Sequence, residues 1–497
     1  MIKLGIVGFG VVGKSALSFL NTHRGDARLR ELLGDIDYQI SVWDQRLLKP
    51  HEQVLLDAAS AQFAHESVMS LEQFFISCDR VLPSPGVDVR SVAHYHDKLI
   101  CELDIFSLFF KKPVIAITGS LGKTTTTIVF AKMLEKLSMF MPEKHSTPTL
   151  LEQGAQRVAV GGNIGIGMLD LAAQSDNFDC AVLELSSWQL EGSKRFAPDC
   201  GVWTNLYPNH LDRHETMVRY AQAKFNLIEQ QAAQQCAVLP FDLLIGEVGK
   251  HVCSWLELSP VQVVVTSMTP VSLDVVHEYV KNCVAIIMIQ DQDVVLNVYE
   301  GNDVKQRATL AQAQELLTVT FLENWLSIMG ALFALSKNSE FLVKYLPMVL
   351  SEVLDNPYAK HRVEHFATVK NVDFYNDSKS TVIQATQAAV KKLSREERPI
   401  ILILGGLSKG VDRSGLMMFL ADLTSIKKIY SFGEAYDLVP ASYFSTLDDV
   451  VRDVMNCMEP GDIVLLSPSG SSYDLFENYQ QRGDVFKELV LRYSESV

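Results

Sequence analysis

Short apolar runs alternate with polar or glycine-containing turns and amphipathic stretches along most of the chain. The clearest runs of aliphatic or β-branched residues lie at 4–7, 114–117, 181–185, 400–404 and 463–466. Parallel strands need crossover helices between them, so this alternation predicts an α/β fold with mostly parallel sheets. The chain shows no repeat of fixed period and no low-complexity tract that would change this prediction.

Length and two loop segments predict three domains. At about 150 residues per domain, a chain of 497 residues corresponds to roughly three. Lys111-Lys112-Pro113 comes directly before a new strand, and Asp355-Asn356-Pro357 follows a helical stretch, so both segments suit domain joints. We therefore predict domains over residues 1–101, 102–356 and 357–497.

Composition and charge narrow the class of protein. No apolar run approaches the roughly 18–20 residues of a membrane-spanning helix, and the N-terminus lacks the pattern of a signal peptide, so we expect a cytoplasmic protein. The chain has 44 basic and 59 acidic residues, a net charge of −15 that disfavours nucleic acid as a partner. Its eight cysteines include no C-x-x-C pair, which predicts buried thiols and neither a disulfide framework nor a thiolate zinc site.

A first glycine motif follows the first strand. Gly8-Phe9-Gly10-Val11-Val12-Gly13 matches the G-x-G-x-x-G turn, which brings backbone N–H groups against a phosphate. The acid that closes the next strand, Asp44, comes later than the roughly 20 residues expected for a dinucleotide site. From this motif alone, an NAD site and a purely structural tight turn both remain open.

A second glycine motif predicts a nucleotide site. Thr118-Gly119-Ser120-Leu121-Gly122-Lys123-Thr124-Thr125 lies between the strand at 114–117 and a helix predicted over 125–137. The glycines let the backbone wrap phosphates, Lys123 can reach the β and γ oxygens, and the Thr124 hydroxyl can bind Mg²⁺. Counted from Gly119, the motif is two residues shorter than G-x-x-x-x-G-K-[ST], so a chance Gly-Lys-Thr in a turn is the alternative.

Polar residues end two further strands. Glu184 closes an apolar strand, where a carboxylate is costly unless it is paired or bound to a metal, so we predict a magnesium ligand. The alternative is a carboxylate that emerges into solvent. Residues 205–214 follow another strand and include two histidines, an aspartate and an arginine, which is typical of the loops that carry chemistry in α/β enzymes. Their spacing does not favour a protein-only zinc site.

Taken in order, these segments resemble the Mur ligase family, the ATP-dependent amide-forming enzymes of peptidoglycan precursor synthesis. The resemblance covers essentially the whole chain and rests on the segments at 118–125, 161–165, 184–190, 205–214, 220–224, 323–325 and 361–364. It implies a Rossmann-like N-terminal domain that holds the UDP part of a substrate, a central P-loop ATPase-type domain with a parallel sheet, and a Rossmann-like C-terminal domain that holds an amino acid. The first glycine turn is thereby reassigned from NAD to UDP.

The third-domain segments at 376–381, 404–409 and 466–476 are similar to family members that add D-glutamate to UDP-N-acetylmuramoyl-L-alanine. The resemblance implies these two small molecules as substrates and an acyl phosphate as the activated intermediate. We expect a monomer with no nucleic-acid or membrane partner. Three alternatives stay open: another amino-acid ligase of the same architecture, a nicotinamide-dependent oxidoreductase, and a ligase-like binding protein without catalysis.

The resemblance also implies roles for individual residues. One Mg²⁺ would be held by Thr124 and Glu184, and a second by His210 and a carbamylated Lys224. The implied catalytic residues are Lys123, Glu184, His210 and Lys224. The implied ATP-binding residues are Gly119, Ser120, Gly122, Lys123, Thr124, Thr125, Asn324, Arg362 and Asp377. The implied residues for the UDP-linked substrate are Gly10, Val11, Val12, Asp44, Gln45, Ser84, Pro85, Gly86 and Asn163. Those implied for the amino acid are Lys379, Thr381, Lys409, Ser472 and Tyr479.

Three positions depart from the family pattern. Asn209 replaces the usual Asp before the histidine, Leu121 replaces a common Asn in the phosphate loop, and Leu407-Ser408 replaces an acidic pattern before Lys409. We expect these changes to tune the ATP and glutamate sites and to leave the reaction itself intact. The stretch between Lys224 and Asn324 carries none of the family motifs, and the sequence predicts no role for it.

Overall fold

The computed structural model describes residues 2–139, 155–316, 321–354, 361–408, 410–436 and 438–495. Within these residues the strands form three sheets, of four, nine and six strands. The predicted α/β class is confirmed. The chain divides into two compact units, one of residues 1–205 and 221–357 and the other of residues 206–220 and 358–497.

The first sheet is parallel and lies in the first unit. Its strands are β1 (Ile2–Val7), β2 (Tyr38–Asp44), β3 (Gln62–His65) and β4 (Arg80–Pro83), in the order β3-β2-β1-β4. Its helices are Val11–Thr22, Arg30–Leu33, Pro50–Ala59 and Leu71–Ser77. Because the carboxyl ends of parallel strands meet at one edge, the glycine turn after β1, Asp44 at the end of β2 and Ser84 after β4 come together.

The nine-stranded sheet also lies in the first unit. Its strands are β5 (Val114–Thr118), β6 (Val158–Gly162), β7 (Cys180–Glu184), β8 (Cys200–Trp203), β9 (Cys236–Pro240), β10 (Gln262–Ser267), β11 (Cys283–Gln290), β12 (Asp293–Glu300) and β13 (Asp303–Gln312). The order is β13-β12-β11-β10-β9-β8-β5-β7-β6. Strand β12 runs antiparallel to both of its neighbours, β11 and β13, and the other pairs are parallel. The stretch without family motifs therefore builds β9 to β13, one side of this sheet.

Helices cover the nine-stranded sheet. They are Glu102–Phe109, Lys123–Met139, Met168–Ala173, Ser187–Leu190, Gly246–Glu257, Leu273–His277, Ala313–Leu316, Leu322–Ser336 and Ser339–Leu354, and the helix Met217–Phe225 enters this unit from the second one. The helix Leu322–Ser336 is almost entirely buried and packs on β8, β9 and β10. It places Asn324, one of the implied ATP-binding residues, in its first turn.

The second unit is built on the six-stranded sheet. Its strands are β14 (Glu364–Val369), β15 (Val372–Asn376), β16 (Ile400–Gly405), β17 (Ile426–Phe432), β18 (Tyr443–Phe444) and β19 (Ile463–Leu466), in the order β14-β15-β19-β16-β17-β18. Its helices are Leu211–His214, Ile383–Leu393, Ser414–Ala421, Leu447–Cys457 and Tyr479–Glu495. Ile400, Leu402 and Leu404 face one hydrophobic cluster, and Ile401 and Ile403 face another. Strand β16 is therefore buried on both faces, as in doubly wound α/β folds.

Several sequence predictions can be compared with the observed elements. The apolar runs all form strands, with bounds within two residues of the predicted ones, and the helix predicted over 125–137 spans Lys123–Met139. All eight cysteines are free thiols, five buried and three half-buried. None of the described helices is long and apolar enough to cross a bilayer. Of the two predicted joints, 111–113 directly precedes β5, and 355–357 lies outside the described residues.

One carboxyl group, that of Glu102, is buried in the segment that connects the four-stranded sheet to the nine-stranded sheet. Glu102 begins the helix Glu102–Phe109, is 5% exposed, and its Oε2 has no hydrogen-bond partner among the described residues. Burial raises the pKa of Glu102 to about 8, and the negative charge of Asp170 acts in the same direction. The folded protein therefore holds the Glu102 proton at neutral pH.

We expect Glu102 to make the protein less stable as the pH rises from about 4.5 to about 8. The unfolded chain releases this proton near pH 4.5, whereas the folded chain keeps it to about pH 8. The free energy of unfolding therefore falls as the pH rises through that window. Each unit of pKa difference corresponds to about 1.4 kcal/mol. Glu102→Gln is neutral in both states, so its melting temperature should exceed that of the wild type by more at pH 8 than at pH 5. Parallel melting curves against pH would contradict this.

Candidate functional site

The second glycine motif connects β5 to the helix Lys123–Met139 and passes very close to two other side chains. Gly119 and Gly122 have φ values of 149° and 79°, which lie where glycine is favoured. A Cβ at Gly122 would overlap Asn324 Oδ1, and a Cβ at Gly119 would overlap Thr204 Oγ1. The loop thus needs glycine at both positions, and the structure brings Asn324 against it.

Asn205 supports this loop, a role that the sequence did not reveal. Its Oδ1 accepts hydrogen bonds from the backbone N–H groups of Ser120 at 3.1 Å and Leu121 at 2.8 Å. Its Nδ2 donates to the Leu121 carbonyl oxygen at 3.1 Å. The only sequence signal for Asn205 is its place at the start of the polar loop that follows β8. An amide oxygen thus satisfies two donors in the part of the chain predicted to surround phosphate.

Glu184 is the centre of a buried polar contact. Its Oε2 accepts from Thr124 Oγ1 at 2.5 Å, and its Oε1 accepts from Asn163 Nδ2 at 3.0 Å. The Asn163 backbone N–H also donates to the Glu184 carbonyl oxygen at 2.8 Å. Glu184 is 1% exposed, so the alternative of a carboxylate emerging into solvent is wrong. Carboxylate and hydroxyl oxygens are ligands that Mg²⁺ accepts, so Thr124 and Glu184 fit the predicted magnesium pair.

Two lysines converge on the phosphate loop. Lys123 Nζ donates to the carbonyl oxygens of Gly119 at 2.8 Å and Ser120 at 3.2 Å. Lys224 Nζ donates to the carbonyl oxygen of Gly119 at 2.9 Å, and the Lys224 side chain is 1% exposed. Burial holds the pKa of Lys224 well below its usual value, the Lys123 charge lowers it further, and Glu184 opposes both. The Lys224 amine is therefore far more easily neutral than an exposed lysine, which makes it a potential nucleophile.

The first glycine turn is held by Asp44 and Ser84. Asp44 accepts from the backbone N–H of Phe9 at 2.5 Å and from that of Arg46 at 2.8 Å, and Ser84 Oγ donates to the Gly8 carbonyl oxygen at 3.0 Å. A Cβ at Gly13 would overlap the Gly8 carbonyl oxygen. Asp44 thus organises the turn through both carboxylate oxygens, and among the residues predicted beside it, Gly10 and Val11 are exposed.

Arg46 and Glu52 complete this site, and the sequence did not single them out. Glu52 is fully buried and binds Arg46 through two contacts of 2.8 and 2.9 Å and Lys14 Nζ at 2.6 Å. These two cations hold the pKa of Glu52 well below its usual range. Gln45 lies between Asp44 and Arg46, and its carbonyl oxygen is 2.9 Å from His65 Nε2. The ion pairs of Glu52 with Arg46 and Lys14 therefore fix the loop that follows β2.

His210 lies in the second unit with a left-handed backbone, φ 55°. Asn209 Oδ1 accepts from the His210 backbone N–H at 3.0 Å, and the His210 carbonyl oxygen accepts from the N–H groups of Arg213 at 3.1 Å and His214 at 2.9 Å. An Asn at position 209 thus supplies the oxygen that an Asp would supply to this turn. Across the described ranges, no group of three or more His, Cys, Asp or Glu side chains is arranged to hold a metal ion.

The segment that carries Arg362 has an unusual backbone. His361 and Val363, on either side of Arg362, have φ values of 63° and 46°, and a β-branched residue rarely adopts positive φ. Asp377 Oδ1 accepts from the Val363 backbone N–H at 3.2 Å, and Asp377 Oδ2 accepts from Ser467 Oγ at 2.7 Å. Burial raises the pKa of Asp377 to about 7. Asp377 is therefore an anchor for the Arg362 segment.

Lys379 and Tyr479, two of the residues predicted to bind the amino acid, lie against each other at the start of the last helix. Lys379 Nζ lies 4.8 Å from the centre of the Tyr479 ring, and the Lys379 backbone N–H donates to the His361 carbonyl oxygen at 3.1 Å. Leu407 and Ser471 exchange backbone hydrogen bonds of 2.9 and 2.8 Å, which brings the loop after β16 beside Ser472. Thr381 is half-buried close by in the sequence, and Lys409 lies outside the described residues.

Arg482 ties these loops together, and no sequence pattern marked it. Its side chain is fully buried and donates to Ser378 Oγ at 3.0 Å, to the Ser378 carbonyl oxygen at 2.6 Å and to the Gly470 carbonyl oxygen at 3.0 Å. Desolvation lowers the pKa of Arg482 to about 10. A buried guanidinium thus joins the loop before Lys379 to the loop before Ser472.

Fold and site together define a P-loop nucleotide-binding protein with a buried carboxylate at the loop threonine. Residues 117–294 match the model of the Mur ligase middle domain. The chain is 32% identical over 438 residues to the UDP-N-acetylmuramoylalanine--D-glutamate ligase of Caldicellulosiruptor bescii, covering 84% of this chain and 85% of that protein. The corresponding ligase of Christiangramia forsetii is 27% identical over 473 residues, covering 91% and 94%. The chain therefore belongs to the Mur ligase family, whose members are ATP-dependent amide-forming ligases.

Solved structures support the fold. MurF from Acinetobacter baumannii has a TM-score of 0.54 at 14% identity, and the match covers 90% of each chain. At this identity, the likeness concerns the arrangement of helices and strands alone. It agrees with the three α/β sheets described above.

We expect Gly122→Ala to destabilise the protein and weaken ADP binding, because the added Cβ meets Asn324 at a position with φ of 79°. Strain of this kind costs on the order of 1–3 kcal/mol. Melting temperature and calorimetric ADP affinity check this. Gly415→Ala is the matched control, since a Cβ there would have no heavy atom within 4 Å. Unchanged ADP affinity in Gly122→Ala would contradict the close contact with Asn324.

Proposed function

We propose that this protein joins D-glutamate to UDP-N-acetylmuramoyl-L-alanine, with release of ADP and phosphate, in peptidoglycan precursor synthesis. The observation that carries the proposal is the contact of the buried residues Thr124 and Glu184 with each other and with Asn163, beside Lys123, in a chain 32% identical over 438 residues to a ligase named for this reaction. ATP and small molecules that carry UDP point to action in the cytoplasm. We further propose that the protein is a monomer and that its three domains meet near residues 101 and 356.

The proposed reaction requires activation of a carboxylate. At neutral pH a carboxylate oxygen is a poor leaving group, so its phosphorylation by ATP gives an acyl phosphate that an amine can attack. The Lys123 ammonium and the N–H groups of the phosphate loop would offset the charge of the β and γ phosphates. Mg²⁺, when held by Thr124 and Glu184, would supply further positive charge at these oxygens.

We propose a carbamate on Lys224 that, with His210, holds a second Mg²⁺. CO₂ adds only to a neutral amine, and the product is a carbamate anion and a released proton. Burial of Lys224 beside the Lys123 charge favours the neutral amine. The alternative is an unmodified lysine that supports the loop by donating to the carbonyl oxygen of Gly119.

We propose that the second unit binds D-glutamate and part of ATP. Lys379 and Lys409 supply two cations, Thr381 and Ser472 supply hydroxyls, and the Tyr479 ring beside Lys379 supplies a wall. Two cations suit a ligand with two carboxylates. Arg362 and Asp377 are proposed to contact ATP, and the buried Arg482 to keep the surrounding loops in place.

We expect D-glutamate to release ADP much faster than D-glutamine or L-glutamate when UDP-N-acetylmuramoyl-L-alanine and ATP are present. A neutral side chain leaves one of the two proposed cations without its carboxylate partner in the complex, at a cost of roughly 1–3 kcal/mol, which corresponds to about tenfold to a few hundredfold in preference. A coupled assay of ADP release with a panel of amino acids checks this. Preference for a different amino acid would indicate another ligase of the same architecture. If no amino acid led to ADP release, the protein would instead be a binding protein without catalysis.

We expect Lys224→Ala to be nearly inactive and to be partly rescued by added formate or acetate, because the missing group is an oxygen ligand. Lys224→Arg should stay inactive, since arginine supplies charge and forms no carbamate. Lys250→Ala is the matched control, because that side chain is 77% exposed, and it should keep full activity without a response to carboxylates. Steady-state rates with and without formate decide the matter, and an active Lys224→Arg would overturn the carbamate.

A further inference from the structure

A hydrogen bond links two helices of the first unit that pack against different sheets. Ser15 lies on the helix Val11–Thr22, directly after the first glycine turn, and Asp170 lies on the helix Met168–Ala173 beside the nine-stranded sheet. Ser15 Oγ donates to Asp170 Oδ1 at 2.9 Å. The bond therefore connects the element that follows the proposed UDP turn to an element of the nucleotide-binding part.

Asp170 lies close to Gly167 and acts on the buried carboxyl group of Glu102. A Cβ at Gly167 would lie 2.9 Å from Asp170 Oδ2 and 3.8 Å from Ser15 Oγ. The buried carboxyl group of Glu102 lies near enough for the Asp170 charge to act on it. The absence of a side chain at Gly167 therefore leaves room for the Asp170 carboxylate beside Ser15.

Other contacts support the same boundary. The rings of Phe19 and Phe109 lie 4.9 Å apart, edge to face, and the Arg28 guanidinium lies 3.8 Å from the centre of the Phe109 ring. The Ser15–Asp170 hydrogen bond adds a directional contact to this boundary, at the end that lies next to the first glycine turn.

The segment before Asp170 leads to the reaction centre. The helix Met168–Ala173 is preceded by a short loop that begins at Asn163. Asn163 donates to the Glu184 carboxylate at 3.0 Å, and its own side chain is exposed. One short stretch of chain therefore contacts the helix of the UDP turn at one end and the proposed magnesium carboxylate at the other.

We infer that the Ser15–Asp170 hydrogen bond sets the distance between the turn that binds UDP and the centre around Glu184 and Lys123, and so selects the UDP-linked substrate by its length. The inference rests on the proposed function and deepens it. A ligand held at both ends binds well only when the span between its two sites matches its length. Ser15 and Asp170 are positioning residues that act without touching the substrate.

The test compares a two-ended ligand with a one-ended ligand by titration calorimetry, without turnover. Ser15→Ala and Asp170→Ala should each weaken binding of UDP-N-acetylmuramoyl-L-alanine roughly fivefold to tenfold, the effect of one lost hydrogen bond. The same variants should bind UDP alone and ADP as the wild type does. In steady state, the KM for the UDP-linked substrate should rise while the KM for ATP stays constant.

Three further variants sharpen the result. Asp170→Asn keeps an oxygen acceptor for Ser15 and should restore most of the affinity. The double variant Ser15→Ala/Asp170→Ala should be no weaker than either single variant, because both remove the same bond. Ser18→Ala changes an exposed serine on the same helix and should bind both ligands as the wild type does.

Two results would overturn the inference. A parallel loss of UDP affinity in Ser15→Ala would mean that Ser15 serves the nucleotide directly, and unchanged affinity for both ligands would mean that the bond sets no distance. If the wild type binds no UDP-N-acetylmuramoyl-L-alanine, the proposed function fails.

A distance measurement then tests whether the Ser15–Asp170 bond fixes the two parts of the first unit, independently of the ligand. Spin labels would be attached to non-natural residues at the positions of Val68 and Leu258, which are 82% and 88% exposed. The distance distribution should broaden in Ser15→Ala, and an unchanged distribution would contradict it.

Discussion

The buried carboxylate of Glu184 is the constraint on which the candidate site depends. A carboxylate with 1% exposure is stable only when its oxygens are paired. Thr124 from the phosphate loop and Asn163 from the loop after β6 provide that pairing. Because β7 lies between β5 and β6 in the sheet, both partners reach Glu184 from neighbouring strands. The order of three strands thus brings together residues that are distant in sequence.

The protein carries a net charge of −15, and its proposed ligands are anions. The overall field therefore opposes binding, and local groups must overcome it. Lys123 and Lys224 place two amines at one loop, and the burial that lowers the pKa of Lys224 limits the repulsion between them. Asn205 satisfies two backbone N–H groups of the loop with a neutral oxygen, so it adds no negative charge at the place where phosphates are proposed to bind.

Sequence patterns predicted the parts of this structure that depend on local chemistry. Strands followed from runs of apolar residues, and the two glycine turns followed from steric needs that glycine alone meets, as at Gly122. Asn205, Arg46 and Arg482 were missed because their roles come from partners far along the chain, and polar residues in loops have no periodicity. The five strands β9 to β13 carry no motif, and their pairing order is a tertiary property. The burial of Lys224 was also invisible, since only family resemblance distinguished it from an exposed helical lysine.

Unfavourable backbone conformations lie beside proposed functional residues in the second unit. His210 has positive φ itself, and His361 and Val363 flank Arg362 with positive φ. Such conformations cost of order 1–3 kcal/mol each and persist only where surrounding contacts enforce them. Here the enforcing groups are the Asn209 amide oxygen at His210 and the Asp377 carboxyl at Val363. Asp377 is itself buried at an energetic cost, shown by the rise of its pKa to about 7. A strained backbone and a desolvated carboxyl therefore lie together around Arg362, the arginine proposed to contact ATP, and this is the balance expected where rigid placement of a side chain matters more than local stability.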